Sequence, residues 1–264
     1  MKINSNPTKL VFALGAFIVN LPVFGQLSPQ NGFFKPGVFT KNSNQKIVTS
    51  MLMMGQPMDM KMDMDYEMGV KVLPPKGDEQ VISISFKKAS GQIEQGGNKQ
   101  DIPMDVKAMG EFNISTDKNG VVTQVNGNTE ILQSLQQTGM GGFVNGKPYS
   151  QYIFVKETKK IGDTWVDSSY ADKMMVSHYK YVSNNGENAV LELVADIHMI
   201  NDMEQQGMSI HQDLKGTLKG QVLVNRNTNM IVKTEGKMKV EGTMETMGQM
   251  IPLTMESDML ETVK

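Results

Sequence analysis

Cysteine is absent from this chain of 264 residues. The protein therefore has no disulfide framework and no thiol nucleophile, and it lacks the cysteine on which a bacterial lipoprotein is acylated. A chain without such cross-links must take its stability from a large hydrophobic core. We therefore expect one sizeable domain and not a small cross-linked scaffold.

Residues typical of catalysis are also scarce. The 3 histidines include no pair at the i,i+4 spacing of a helical zinc motif, and no Gly-x-Ser-x-Gly segment surrounds a nucleophilic serine. The segment Gly141 to Lys147 approaches a phosphate-binding loop, but Pro148 stands where serine or threonine would bind Mg²⁺. We therefore expect a protein that is not an enzyme and that has no cofactor.

A charge excess of either sign is missing as well. The chain has 26 basic and 28 acidic residues, a formal net charge of −2, and the two signs are interspersed along it. Nucleic-acid-binding domains carry clustered basic residues, so we expect no nucleic-acid partner. The acidic residues that follow Asp63 do not form a calcium loop either, because the sixth position needs glycine and Met68 stands there.

Long apolar runs are missing except near the N-terminus. Lys2 and Lys9 precede an apolar run from Leu10 to Val23, which is shorter than the about 20 residues of a membrane span and is followed by Phe24 and Gly25. This pattern is typical of a signal peptide over residues 1–25, with a retained anchor as the alternative. We expect a periplasmic or secreted protein with no integral membrane segment after signal cleavage.

Methionine, by contrast, is abundant, with 24 residues. Its strongest pattern runs from Met58 to Val72, where apolar and charged residues alternate. Because side chains alternate between the two faces of a β-strand, this pattern predicts a strand about 50 Å long with one apolar and one polar face. A strand of this length requires a large, curved sheet.

Similar alternation recurs along most of the chain. It predicts a strand from Gln45 to Met54 and another from Met104 to Ile114, and repeated in-phase glycines near the C-terminus fit bends in a curved sheet. Asn128 to Gly139 instead has the helical period and capping residues. The segment Tyr152 to Val155 fits either type of element.

We predict a mainly β fold from these patterns. Its core is a large curved antiparallel sheet, a half-barrel or open barrel of about nine to eleven strands, with one or two short helices covering the concave face. Residues 26–44 form an extended lead-in whose aromatic residues dock on the sheet. Residues 45–264 form a single domain.

Two short segments carry a resemblance to a known family. Ile161-Gly162-Asp163-Thr164-Trp165 follows the predicted helix, and Gly216-Thr217-Leu218-Lys219-Gly220 precedes an Asn-rich turn and long final strands. This arrangement resembles an uncharacterised β-rich family of exported Bacteroidetes proteins. That family is distantly similar in architecture to periplasmic lipoprotein carriers, so the resemblance implies an open β-barrel around a hydrophobic cavity.

The predicted functional site is the concave face of the sheet. Methionine side chains are flexible and polarisable, and they suit adaptable apolar surfaces. We therefore predict that this face binds a lipid-like or other apolar ligand. The predicted ligand-binding residues are Met58, Met60, Met62, Met64, Tyr66, Met68, Met104, Met230, Met238, Met244 and Met255.

Two other functions remain open. A structural or envelope-assembly protein could fill the same face with its own helix and N-terminal aromatic residues. Methionine thioethers are also soft ligands for Cu(I). Neighbouring residues on one face of a strand lie about 7 Å apart, however, so the sulfurs do not converge on a metal ion without help from other strands.

Overall fold

The computed structural model describes residues 27, 32–53, 55–127, 145–170, 175–205, 208–246 and 248–264. The predicted signal peptide and the predicted helix from Asn128 to Gly139 lie outside these residues. The described part of the chain is almost entirely β-structure, which confirms the predicted fold class. It forms one antiparallel sheet that does not close into a barrel.

Twelve strands form this sheet in the described residues. In chain order they are β1 (Gly37–Met53), β2 (Gln56–Val72), β3 (Gln80–Gln95), β4 (Asn98–Ile102), β5 (Glu111–Thr116), β6 (Val122–Asn126), β7 (Thr164–Tyr170), β8 (Met175–Asn185), β9 (Asn188–Gln205), β10 (Met208–Asn225), β11 (Ile231–Thr246) and β12 (Gln249–Val263). Their order across the sheet is β6-β5-β3-β2-β1-β12-β11-β10-β9-β8-β7, and β4 pairs with β3 off this path. The predicted strand count was too low, because short strands such as β4 carry no alternating pattern.

The only helix among the described residues is a single turn, α1 (Val106–Met109). Asp105 caps it, because its carboxylate accepts a hydrogen bond from the backbone N–H of Lys107 at 2.9 Å. The prediction of one strand from Met104 to Ile114 was wrong, since this cap starts a helical turn inside the alternating pattern. A helix covering the concave face, which was also predicted, is not shown by these residues.

The long strands β1 and β2 lie near the middle of the sheet. β2 confirms the strand predicted from Met58 to Val72 and pairs with β1 from Gly37 opposite Val72 to Met53 opposite Gln56. The other edge of β1 pairs with β12. β1 begins at Gly37 and not at the predicted Gln45, because the residues from Thr40 to Asn44 are polar on both faces and show no alternation.

Residues 145–163, which we name the strap, show that the sheet is strongly curved. The backbone N–H of Val122 donates to the carbonyl of Lys147 at 2.8 Å, and that of Ile231 donates to the carbonyl of Gln151 at 2.9 Å. Four residues and two hydrogen bonds reach at most about 20 Å. In a flat sheet the six strand steps from β6 to β11 would measure about 29 Å. The strap therefore connects β6 and β11 by a path shorter than a flat sheet would require, which means that the sheet between them is curved.

The strap continues to the other side of the sheet. The N–H of Gly162 donates to the carbonyl of Tyr181 on β8 at 2.8 Å, and the N–H of Tyr181 donates to the carbonyl of Asp163 at 2.9 Å. The segment Tyr152 to Val155, whose type the sequence left open, belongs to the strap and makes a single bridge with Met230.

Two glycines allow neighbouring strands to approach closely. A Cβ atom at Gly216 on β10 would overlap the backbone oxygen of Lys239 on β11. One at Gly242 on β11 would overlap the backbone oxygen of Asp213 on β10. No larger residue fits at either position without moving the backbone, so these in-phase glycines serve close strand approach.

Candidate ligand-binding face

The side of the sheet that carries Met60, Met62 and Met64, which we name the inner face, is largely apolar. These three side chains are 3–4% exposed, whereas Asp59 and Lys61 on the opposite side are exposed. The inner cluster contains residues from β1 to β4 and from β8 to β12, among them the methionines Met51, Met60, Met62, Met64, Met175, Met199, Met238, Met244, Met255 and Met259.

Most of the predicted site residues lie in this inner cluster. The structure buries in it the side chains of Met60, Met62, Met64, Tyr66, Met238, Met244 and Met255. Met58 and Met104 are partly buried and pack against it. Burial raises the pKa of the Tyr66 hydroxyl, which donates a hydrogen bond to the sulfur of Met64 at 3.0 Å.

Two predicted residues lie elsewhere. Met230 is buried in a second cluster at the end of the sheet, and Met68 packs against that cluster. A register shift places Lys233 opposite Leu223 but Ile231 opposite Val224. This irregularity takes Met230 out of phase with Met238, so its assignment to the continuous concave face was wrong.

Phe34 packs against three aromatic residues of the strap, Tyr149, Tyr152 and Phe154, at one end of the sheet. We name these four residues the aromatic plug. Phe34 is 2% exposed and stacks on Tyr152 with ring centroids 3.8 Å apart. Gln80 holds this segment in place: its amide oxygen accepts from the N–H of Phe34 at 2.8 Å, and its amide nitrogen donates to the carbonyl of Phe34 at 2.8 Å. The predicted docking of an N-terminal aromatic residue is confirmed for Phe34.

Next to the plug, the inner face carries a group of polar side chains that the predicted site did not include. We name it the inner polar cluster: Lys41, Ser43, Gln45, Thr234, Ser257 and Glu261. Strand register brings its members together, because Ser43 lies opposite Glu261 on β12 and Glu261 lies opposite Thr234 on β11. Further from the plug, Gln45 lies one inward position beyond Ser43 on β1, opposite Met259, and Ser257 lies two inward positions beyond Glu261 on β12.

Three atoms of this cluster are buried without a hydrogen-bond partner. They are Oε1 of Gln45, Oγ of Ser257 and Oε1 of Glu261. The three residues are 3%, 5% and 8% exposed. Each such orphaned group costs about 1–3 kcal/mol. Buried polar groups in native proteins are normally paired, so these three atoms are the positions of the inner face at which a polar partner would be stabilised.

The two charges of the cluster pair with each other. Nζ of Lys41 lies 3.0 Å from Oε2 of Glu261, and the side chains are 13% and 11% exposed. Glu261 also acts on the plug: burial is the main cause of the raised pKa of Tyr149, and neighbouring Tyr152 and Glu261 raise it further. Val263, which lies opposite Lys41, packs against the apolar cluster that contains Phe34, Tyr149 and Tyr152, so the polar cluster and the plug adjoin. The polar cluster has no net charge.

A signal for the cluster was present on β12 but not on β1. Ser257 and Glu261 are in phase with the apolar Met255 and Met259, so alternation alone places them on the inner face. On β1 the inward Gln45 is flanked by polar residues on both sides, and no pattern separates the two faces.

His178, His198 and His211 lie on the outer face of the sheet. His198 pairs with Asp213 at 2.8 Å and His211 with Asp202 at 2.6 Å, all four side chains being well exposed. The hydrogen bond to Asp202 is the main cause that raises the pKa of His211. In the part of the chain that the structure describes, no three histidine or carboxylate side chains are placed to hold a metal ion. Within the same residues, no helix has the length and apolar character to cross a bilayer.

Comparisons with known proteins agree with the fold and leave the function open. Residues 149–231 match the model of a family of unknown function (DUF6263). That range includes both segments that carry the resemblance noted from the sequence. The chain matches no curated protein.

Among solved structures, the chain is similar to lipovitellin, in a structure described as lipid–protein interactions in lipovitellin. The TM-score is 0.50 at 8% identity, over 88% of this chain and 25% of that one. The chain thus spans a quarter of the length of lipovitellin, and the likeness shows a shared fold alone.

Two further structures give lower scores. DynF from the dynemicin biosynthesis pathway of Micromonospora chersina has a TM-score of 0.24 at 8% identity, over 92% of this chain and 90% of that chain. An outer membrane channel from Pseudomonas putida F1 has a TM-score of 0.28 at 8% identity, over 89% of this chain and 98% of that chain.

Proposed function

We propose that this protein is a non-catalytic, exported binding protein that takes a lipid-like or other apolar ligand against its inner face. The observation that carries the proposal is the inner face itself: an apolar surface from β1 to β4 and from β8 to β12 that ends in a buried polar cluster. An apolar wall with a few placed polar groups is the usual composition of a small-molecule site.

The choice of side chains supports an adaptable ligand. Ten methionines of the described residues belong to the inner cluster. A core that only had to pack would use side chains with well-defined rotamers, whereas methionine adjusts to irregular and varied shapes. A flexible acyl chain is a ligand of this kind.

The shape of the sheet supports the same proposal. The sheet is curved and unclosed, and the strap and aromatic plug cover one of its ends. A ligand would then enter away from the plug. The fold is shared with lipovitellin, which a solved structure describes through its lipid–protein interactions, and this likeness adds support.

A structural or envelope-assembly role is the second candidate. The observation that favours it is the aromatic plug, in which Phe34 and the strap already fill part of the interior. In this case the methionines would be the core of a self-filled sheet. The protein would then bind no apolar probe.

Binding of a fluorescent fatty acid to the full chain tests the proposal. Met62→Asp should reduce binding more than tenfold, because an unpaired charge on an apolar wall costs several kcal/mol once ligand displaces its water. The matched control is Met250→Asp, since Met250 is 64% exposed and its substitution should leave binding unchanged. Met62→Gln, which adds no charge, serves as a second variant if the aspartate prevents folding.

Two results would contradict the proposal. Failure of the unmutated protein to bind any apolar probe would favour the structural role. Equal binding by Met62→Asp and Met250→Asp would show that the ligand does not contact the inner face.

A further inference from the structure

We propose that the inner polar cluster binds the hydroxyl-bearing headgroup of a neutral amphiphile, such as a glycerol ester of a fatty acid. This inference rests on the proposed function, because it assigns the polar end of the same ligand. It starts from Oε1 of Gln45, Oγ of Ser257 and Oε1 of Glu261, which are buried in an apolar wall with no partner.

The chemistry of these three atoms defines what they accept. An amide oxygen and a carboxylate oxygen accept hydrogen bonds only, while a hydroxyl both donates and accepts. A ligand that satisfies all three must therefore bring at least two donors. Adjacent hydroxyl groups provide these donors, whereas an ester or hydrocarbon end provides none.

The charges argue against an ionic headgroup. Lys41 lies 3.0 Å from Glu261, so the one cation of the cluster is already neutralised by its one anion. The free oxygen of Glu261 would repel a carboxylate or phosphate held close to it. A neutral headgroup that donates to this oxygen meets no such repulsion.

The surroundings of the cluster fix the direction of the ligand. The plug lies on one side of it, and Tyr149 of the plug is close enough for Glu261 to raise its pKa. On the other side the inward positions of β1 and β2 become mainly apolar, with Ile47 opposite Met62 and Met51 opposite Met58, and with Thr49 as the one polar inward residue between them. From Lys41 to Met51 the cluster and the apolar stretch together extend about 33 Å along β1. The headgroup therefore lies at the plugged end, and the acyl chain follows the methionines.

Displacement of a fluorescent fatty acid by three ligands of equal chain length tests this inference. The ligands are 1-decanoylglycerol, methyl decanoate and decanoic acid, used with delipidated full chain. The glycerol ester should bind about tenfold more tightly than the methyl ester, because its hydroxyl groups can donate hydrogen bonds to the charged Oε1 of Glu261 and to the neutral Oε1 of Gln45. It should also bind more tightly than the acid at neutral pH.

Two variants locate the preference. Ser257→Ala removes a hydroxyl that has no partner, so it should fold normally and reduce the preference for the glycerol ester several-fold. Glu261→Gln should do the same. Its matched control is Glu256→Gln on the outer face of the same strand, where the carboxylate also lies 3.0 Å from a lysine, Lys239. This control should leave the preference unchanged.

Each outcome decides the inference. Equal binding of the two esters, unchanged by Ser257→Ala, would overturn it and leave the proposed apolar site intact. Preference for decanoic acid would also overturn it, because the cluster would then recognise a carboxylate. Failure of all three ligands, and of the fluorescent probe, would overturn both this inference and the proposed function.

Discussion

Two buried glutamines should respond in opposite ways to the same substitution. Gln80 is fully buried and its side chain makes three hydrogen bonds to the backbone, two with Phe34 and one with the carbonyl of Leu73 at 2.9 Å. Gln45 is 3% exposed, and its Oε1 has no partner. Methionine has nearly the same length and volume as glutamine, so Gln80→Met and Gln45→Met differ chiefly in the hydrogen bonds they remove.

The expected magnitudes follow from these contacts. Gln80→Met leaves three backbone groups unpaired at about 1–3 kcal/mol each, and partial relaxation brings the expected loss to about 3–6 kcal/mol. That is a large part of the about 5–15 kcal/mol by which a domain is stable. Gln45→Met removes an orphaned oxygen from an apolar wall, so it should leave the free energy of unfolding unchanged or raise it by about 1–2 kcal/mol.

Urea unfolding of the delipidated protein measures both values. The only tryptophan of the chain, Trp165, stacks on Tyr179 with ring centroids 5.3 Å apart, so its fluorescence reports on the folded sheet. At a constant m-value, the midpoint should fall for Gln80→Met and should stay unchanged or rise for Gln45→Met. If Gln45→Met lowered the free energy of unfolding as much as Gln80→Met, the reasoning would be refuted, because the side chain of Gln45 would then make hydrogen bonds that stabilise the fold.

Three further predictions concern the metal, the plug and the outer face. Cu(I) titration should show no site tighter than that of a generic methionine-rich peptide, and leucine at the methionines of Met60–Met64 should not change the curve; a stoichiometric site lost in that variant would contradict this. Phe34→Ala should lower the free energy of unfolding by about 3–5 kcal/mol because it leaves a cavity in the plug, whereas Val38→Ala, at 71% exposure, should change it by less than about 0.5 kcal/mol. The Asp202 hydrogen bond raises the pKa of His211, so its stabilising effect should be complete below the ordinary histidine pKa of about 6.5 and lost as the pH rises through the raised value. The urea midpoints of the wild type and His211→Gln should therefore differ more at about pH 5.5 than at about pH 9; a difference independent of pH would show that the pair contributes nothing through protonation.

The sheet and its apolar face were predictable from the sequence because the strands are long and one-sided. The residues of β2 from Met58 to Val72 alternate almost without interruption, and a period of two has no other structural explanation. The same pattern placed Met238, Met244 and Met255 correctly on the inner face. The docking of Phe34 was also predictable, since a phenylalanine in an irregular segment has no other apolar surface to contact.

The errors came where tertiary contacts decide the structure. β4 shows no alternation, because only Ile102 of its five residues is buried. The turn α1 follows a single capping carboxylate, and Met230 leaves the inner face because of an irregular register between β10 and β11. Each of these features interrupts the regular strand geometry locally, and the alternation of apolar and polar residues in the sequence does not reveal such interruptions.

The polar cluster was missed for a different reason. Ser257 and Glu261 alternate in phase with the methionines of β12, and in the sequence they look like ordinary interruptions of an apolar strand face. Their meaning depends on Lys41 and Gln45, which lie more than 200 positions earlier in the chain and become neighbours only through the pairing of β1 with β12. Long-range strand pairing of this kind is set by the whole sheet and not by the local sequence.

The most direct test of the proposed function is to identify what the protein carries. The protein should be purified without detergent, and its organic extract should be analysed by mass spectrometry beside that of Met62→Asp. We predict a stoichiometric amount of an acyl-chain lipid with a neutral, hydroxyl-bearing headgroup in the wild type and a much smaller amount in the variant. Wild-type protein that is free of lipid and binds no added amphiphile would contradict the account.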